Sequence, residues 1–217
     1  MRKRGVSIRY IEKELGIPRS TLSGWFSDIQ LTKRQAELLK KNQVLALQDS
    51  RSKAIAWHNK QKELRLERAE HEAKQTIDLI NIYDKSLFLL CVSMLYLGEG
   101  TKSNWRASIG SSDPLILKIF IKALQDIFGI GTEKIRCDLN LRCDQNSQKA
   151  KQYWAEMLAL PQECFKSVSF DSRTLGSKTF QGYNGVCQVG CNSVAIQRKL
   201  IALSRLYCES VTNKSRD

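Results

Sequence analysis

The chain has 217 residues, and its 35 lysines and arginines against 22 aspartates and glutamates give a formal net charge of +13. This excess predicts an acidic partner, most commonly nucleic acid, with an acidic membrane surface as the weaker alternative. Seven scattered cysteines without CxxC spacing, and no apolar run after Met1 to Arg4, exclude a secreted, disulfide-rich protein, so we expect a cytoplasmic one.

Two short helices are predicted at the start of the chain, within residues 1–42. Apolar residues recur on one helical face from Ser7 to Leu15, and the sequence Gly16-Ile17-Pro18 then ends the first helix. A second predicted helix begins at Arg19 and runs to Ile29, with Leu22 and Trp25 on its inner side. Glycine supplies the positive φ that a tight turn between helices needs.

The run from Ser7 to Ile29 resembles the DNA-binding helix-turn-helix of repressors and resolvases. In such units the early polar residues of the second helix enter the major groove. A helical hairpin with a solvated polar face is the alternative. The helix that normally precedes the pair is missing, and residues 32–47 are the candidate replacement. The resemblance implies DNA contacts by Arg19, Ser20, Thr21 and Ser23.

Residues 43–85 contain no glycine and no proline, and Lys, Arg, Glu, Gln and Ala dominate them. This composition favours a helix, and its mixed charges at helical spacing indicate an ordered, solvent-exposed one. We interpret the segment as a helical connector, with a candidate break at Asp49 to Ser52.

An apolar stretch from Ser86 to Leu97 precedes the sequence Gly98-Glu99-Gly100. It is too short to cross a bilayer, which requires roughly 20 apolar residues. A helix that is apolar on every side needs cover on every side. A carboxylate between two glycines at the end of such a helix indicates that something binds there.

The sequence VSMLYLGEG, from Val92 to Gly100, resembles the signature helix of the LAGLIDADG homing endonucleases. The resemblance implies that two such helices cross at a dimer centre and that Glu99 holds Mg²⁺ near the scissile phosphates. Three features depart from the family: Glu99 replaces the usual Asp, Met94 replaces a small residue, and the catalytic-site lysine has no clear counterpart. Lys178 is the candidate for that lysine.

After Gly100 the residues themselves predict an alternation of strands and helices. Residues 105–111 read as a strand and 113–129 as a helix. The strand pattern is clearest in residues 135–143, where apolar and polar side chains alternate. A helix over 147–160, strands over 166–171 and 186–190, and a helix over 193–208 follow. Buried core positions are the expected role of the cysteines, and a four-thiolate zinc site is the alternative.

This alternation resembles the LAGLIDADG domain over about residues 86–207. The resemblance implies an α+β fold in which residues 86–217 form an αββαββα domain with a saddle-shaped antiparallel sheet. One strand of that arrangement is faint, and Phe180 to Tyr183 is the candidate. In this family the outward residues of the sheet read DNA.

The polar face of residues 135–143 carries side chains suited to base recognition. Arg pairs with guanine and Asn with adenine, so Arg136, Asn140 and Arg142 are candidate base contacts. A solvated sheet face salt-bridged through Asp138 is the alternative. Charge and position further suggest four phosphate contacts, Lys102, Arg106, Arg173 and Lys178.

Together these features predict a double-stranded DNA-binding protein with a small helical head, a helical connector and an α/β domain. One signature motif per chain implies a homodimer, with the apolar helix as the seam. The first hypothesis is a site-specific, Mg²⁺-dependent DNA endonuclease with Glu99 as metal ligand. The second is a transcription regulator that keeps the fold for DNA binding and does not cleave. RNA binding is a third, weaker hypothesis.

Overall fold

Residues 1–102 and 105–213 are described by the computed structural model, and they form an α+β protein, as predicted. The chain divides into two compact units, Met1–Ile80 and Asn81–Asp217. The helices are α1 (Ile8–Leu15), α2 (Arg19–Trp25), α3 (Lys33–Asp78), α4 (Lys85–Glu99), α5 (Pro114–Asp126), α6 (Ser147–Leu158) and α7 (Val194–Asn213). The strands are β1 (Ala107–Ser111), β2 (Arg136–Arg142), β3 (Phe165–Asp171) and β4 (Val186–Cys191).

The first unit begins with the short helices α1 and α2. The Ser7 side chain caps α1 by accepting a hydrogen bond from the Tyr10 N–H, and Gly16 ends the helix at φ 67°. Ile11 and Leu22 are each 1% exposed and form the contact between the helices. Trp25, expected on the inner side, is instead 65% exposed, because α2 ends there rather than at Ile29.

Helix α3 is a single helix of 46 residues without the candidate break near Asp49. A capping box starts it, since the Thr32 hydroxyl and the Gln35 side chain each accept a hydrogen bond from the other's backbone N–H. Gln35 Nε2 also donates to the Lys3 carbonyl oxygen at 3.3 Å, which ties the first turn of α3 to the start of the chain. None of its residues is buried.

The second unit contains a four-stranded sheet in the order β1-β4-β2-β3. The sheet is mixed, so the antiparallel sheet implied by the family resemblance is wrong. Strands β2 and β3 are parallel because α6 carries the chain back between them, as a parallel connection requires. The αββαββα order is also wrong, because α5 separates β1 from β2. Residues 180–183 form no strand, whereas the alternation read from the residues themselves is observed.

The core of this unit lies against one face of the sheet. Leu139, Leu141 and Cys137 of β2 are at most 1% exposed, and Trp154 of α6 is fully buried. A hydrogen bond with Cys137 and burial both raise the pKa of the Cys187 thiol far above its ordinary value. The Cys187 thiol therefore stays protonated and packs as a small apolar group. Among the described residues no group of three or more His, Cys, Asp or Glu side chains could hold a metal ion.

Helix α4 is apolar all round but buried on one side only. Val92, Ser93 and Tyr96 are fully buried and face the core and α7. The other side of α4 is only partly buried within one chain. The prediction that this helix is covered on every side is therefore not fulfilled within a single chain. This face, named the α4 face, comprises Leu87, Leu90, Cys91, Met94 and Leu97.

Candidate nucleic-acid interface

The four polar residues predicted to contact DNA from the first unit lie together on α2. Arg19, Ser20, Thr21 and Ser23 are all exposed, while Leu22 anchors the helix from below. The backbone N–H of Arg19 donates to Glu12 Oε1 at 3.0 Å, which fixes the first turn and leaves the guanidinium in solvent. The exposure of the aromatic side chains Tyr10 and Trp25 was not predicted.

The open face of the sheet is organised around one carboxylate, Asp138 in the middle of β2. Arg106 Nη1 donates to Asp138 Oδ2 at 2.7 Å, and Ser167 Oγ of β3 donates to Oδ1 at 2.7 Å. Arg106 Nη2 also donates to Gln188 Oε1 of β4 at 2.6 Å. Arg136 Nε lies 3.4 Å from Asp138 Oδ1. Side chains from successive strands are thus joined in one row across the sheet.

This network keeps Asp138 ionised. Burial by itself raises the pKa of a carboxyl group, but hydrogen bonds from Ser167 and Arg106, with the charges of Arg106 and Arg136, hold the pKa of Asp138 below its usual value. The side chains of Asp138 and Arg106 are 17% and 24% exposed, so the pair is screened less than a surface pair. The sequence offered a sheet face salt-bridged through Asp138 as the alternative to base contacts. The structure contains such salt bridges from Asp138 to Arg106 and Arg136.

Other candidate contacts lie farther along the same face. Asn140 is exposed and aligns with Ser169 of β3. Arg142 Nη2 donates to Ser177 Oγ at 2.7 Å. Arg173 forms two hydrogen bonds of 2.9 Å with the Asp171 carboxylate, yet its side chain is 88% exposed. The structure thus gathers Arg106, Arg136, Asn140 and Arg142 on one side of the sheet.

The foot of α4 is held by a second set of hydrogen bonds. The carbonyl oxygen of Thr101 accepts from the Tyr96 hydroxyl at 2.7 Å and from Gln197 Nε2 at 2.8 Å. Burial raises the pKa of Tyr96, which keeps this hydroxyl protonated as a donor. Gly100 is required because a Cβ there would collide with the Tyr96 carbonyl oxygen. Glu99 and Lys102, on either side of this clamp, are both exposed.

The two candidate catalytic residues are not brought together within one chain. Gly100, which follows Glu99, pairs with Ile109 of β1, and this row continues through Val189 of β4 to Cys137 of β2. Glu99 therefore lies near the beginning of β2. Lys178 follows Ser177, which binds Arg142 at the end of β2. The seven residues of β2 span roughly 20 Å. Among the described residues Glu99 belongs to no group of three or more metal-ligating side chains, so Mg²⁺ held there would take its other ligands from water and phosphate.

The sequence interpretation missed the residues that link the strands. Gln188 in β4 donates through Nε2 to Thr101 Oγ1 at 3.3 Å and to Ser108 Oγ at 3.2 Å. A polar residue at the centre of an otherwise apolar strand was the available signal. Pairing it with Asp138 required the strand order, because 50 residues separate them in the sequence.

Among the described residues, no helix combines the length and the apolar content needed to cross a membrane. Comparison with known proteins found no matching family model, no similar curated protein and no similar solved structure.

Proposed function

We propose that this protein binds double-stranded DNA, and that the open face of its sheet is the main contact surface. The observation that carries the proposal is the arrangement of Arg106, Arg136, Asn140 and Arg142 on one face, with Asp138 orienting two of the guanidinium groups. Oriented Arg and Asn side chains match the edges of guanine and adenine in the major groove. Pre-oriented side chains also lose less conformational freedom on binding.

The first unit supplies a second DNA contact in this proposal. Its seventeen lysines and arginines exceed its ten aspartates and glutamates. Helix α2 acts as the recognition helix of a helix-turn-helix, with Arg19 and the three neighbouring hydroxyl groups exposed. Two basic modules on one chain increase the effective affinity for a long duplex.

A homodimer is part of the same proposal. The α4 face is apolar and only partly covered within one chain, and burying it against a second copy follows the LAGLIDADG resemblance. An isologous contact would place the same α4 residues of two chains against each other. It would also provide two sheet faces for the two halves of a DNA site.

The test is the affinity of the purified chain for a fluorescein-labelled DNA duplex of mixed sequence, measured by anisotropy. Raising salt from about 50 to 200 mM should weaken binding by orders of magnitude, because several phosphate contacts release counterions. At the same salt concentration, Arg136→Gln should bind the duplex more weakly than the wild type. The matched control is Lys122→Gln on α5, which removes an equally positive side chain that is paired with Asp126. Equal effects of the two variants, or an affinity independent of salt, would contradict the proposal.

DNA cleavage is the second candidate function. It is favoured by Glu99, an exposed carboxylate at the foot of α4 for which the described residues provide no hydrogen-bond donor. A dimer would supply two such groups, and Mg²⁺ bound there would supply hydrolytic chemistry. The assay is incubation with DNA from around the gene in Mg²⁺ and Mn²⁺, followed by a denaturing gel. Glu99→Gln should abolish nicking and preserve binding in Ca²⁺. Binding by the wild type without any product would indicate the non-cleaving regulator.

A further inference from the structure

The loop of residues 172–185, which joins β3 to β4, is fixed to the turn that ends β2. Each of the four consecutive turn residues, 142 to 145, forms a hydrogen bond with it. Arg142 Nη2 donates to Ser177 Oγ at 2.7 Å, and the Cys143 N–H donates to Thr174 Oγ1 at 3.0 Å. We name residues 172–185 the pinned loop.

The other two turn residues hold the second half of the pinned loop. The Asp144 carboxylate accepts from both the N–H and the hydroxyl of Thr179. Gln145 Nε2 donates to the Tyr183 carbonyl oxygen at 2.7 Å. At the end of the loop, Trp154 Nε1 donates to the Asn184 carbonyl oxygen at 2.8 Å. The loop therefore has one defined conformation although it contains no strand.

Two large apolar side chains of this loop are exposed to solvent. Leu175 is 81% exposed and Phe180 is 67% exposed. Because exposed apolar surface is unfavourable in water, such a patch indicates a binding surface. Arg173 and Lys178 lie beside them and are also exposed. Apart from a single 3-10 turn at Ser172–Thr174, the loop has no secondary structure. Long loops of this kind in a compact domain are usually functional or disordered, and the hydrogen bonds of the pinned loop argue against disorder.

We propose that the pinned loop is a preformed wedge that inserts Leu175 into the stacked bases of duplex DNA and bends it. This inference rests on the proposed DNA-binding function and specifies how the DNA is deformed. Apolar side chains inserted between base steps from the minor groove are a general means of kinking a duplex. Because the loop is already ordered in the folded protein, its conformational entropy is lost during folding and does not weaken DNA binding.

Charge around the wedge selects DNA as its occupant. Arg173 and Lys178 are positioned to meet phosphates on either side of an inserted Leu175. The two nearby carboxylates are hydrogen-bonded, because Asp171 accepts from Arg173 and Asp144 accepts from Thr179. These hydrogen bonds lower the pKa of both carboxyl groups, so both stay ionised. Arg142, Arg173 and Lys178 still outnumber them, so the outward surface of the loop is apolar with a small excess of positive charge, which fits a duplex groove.

The experiment compares wild-type protein with Leu175→Ala on duplexes that the wild type recovers from a randomised pool. Donor and acceptor dyes at the duplex ends report bending, and 2-aminopurine substituted along the site reports unstacking. We expect Leu175→Ala to weaken binding about tenfold, to reduce the bend and to remove the 2-aminopurine signal, with an unchanged dependence on salt. Arg173→Gln should instead lower the salt dependence by about one ion.

The matched control is Leu115→Ala, which truncates another exposed leucine, 63% exposed on α5. It should bind and bend DNA like the wild type. Normal bending and affinity of Leu175→Ala would overturn the wedge and leave the proposed function intact. No DNA recovery by the wild type would refute both. A change in sedimentation with normal DNA binding would assign Leu175 to a protein contact and also overturn the wedge.

Discussion

Replacing Asp138 by Asn tests whether the polar row of the sheet is held by a charge. Arg106 and Ser167 each donate to this carboxylate at 2.7 Å. Hydrogen bonds to charged groups stabilise by about 1.5–3 kcal/mol and neutral ones by about 1 kcal/mol. Asn keeps the shape, and it can accept from Arg106 through its oxygen and donate to the Ser167 hydroxyl through its NH2 group, so only the difference is lost, about 0.5–2 kcal/mol for each bond. The expected loss in the free energy of unfolding is therefore about 1–4 kcal/mol.

The assay is urea unfolding followed by tryptophan fluorescence, because Trp154 is buried in the same unit. Asp171→Asn is the matched control. Its partner Arg173 is 88% exposed, so the expected loss is smaller than for Asp138→Asn. Equal losses for the two variants would refute the claim that burial makes the Asp138 pair strong.

Acidification provides an independent check on the same residue. The pKa of Asp138 is lowered in the folded protein, so its stabilisation is complete above the ordinary carboxyl pKa of about 4. It is lost as the pH falls through the lowered pKa. The stability difference between wild type and Asp138→Asn should therefore be constant near neutrality and shrink in acid. A difference that grows on acidification would contradict this assignment.

Three further predictions concern other parts of the chain. Met94→Lys on the α4 face should dissociate the proposed dimer in sedimentation while the chain stays folded, whereas Val92→Lys, at a fully buried position, should unfold the second unit. Thr32→Ala should destabilise the first unit by about 1 kcal/mol, measured by thermal unfolding, because it removes the cap of α3. Ala159→Gly should stabilise the second unit by about 0.4–1 kcal/mol in urea, because Ala159 has φ 52°.

Local patterns predicted much of the fold. Alternating side chains in β2 specified which residues face the core and which face solvent, since successive side chains of a strand point to opposite faces. Gly16 and the apolar spacing on either side of it predicted α1 and the start of α2. These features depend on neighbours within a few residues and can be read without knowing the fold.

Features set by distant contacts could not be predicted in this way. The parallel pairing of β2 with β3 follows from the path of the chain through α6, whereas the family resemblance over about residues 86–207 implied an antiparallel sheet. The burial of only one side of α4 depends on what packs against it, because its composition is apolar on both sides. Likewise, the connection of Arg106 to Asp138 exists only once β1, β4 and β2 are aligned.

The most direct test of DNA reading by this protein is the sequence preference of wild type and Asn140→Ala, each determined by selection from a randomised duplex pool and sequencing. The wild type should recover a defined motif, because the exposed Asn140 lies among oriented Arg side chains. Asn140→Ala should lose the preference for adenine at one or a few positions, at a cost of about 1–3 kcal/mol, and retain the other positions. Failure of the wild type to enrich any motif, or an identical motif for the variant, would contradict base recognition by the sheet.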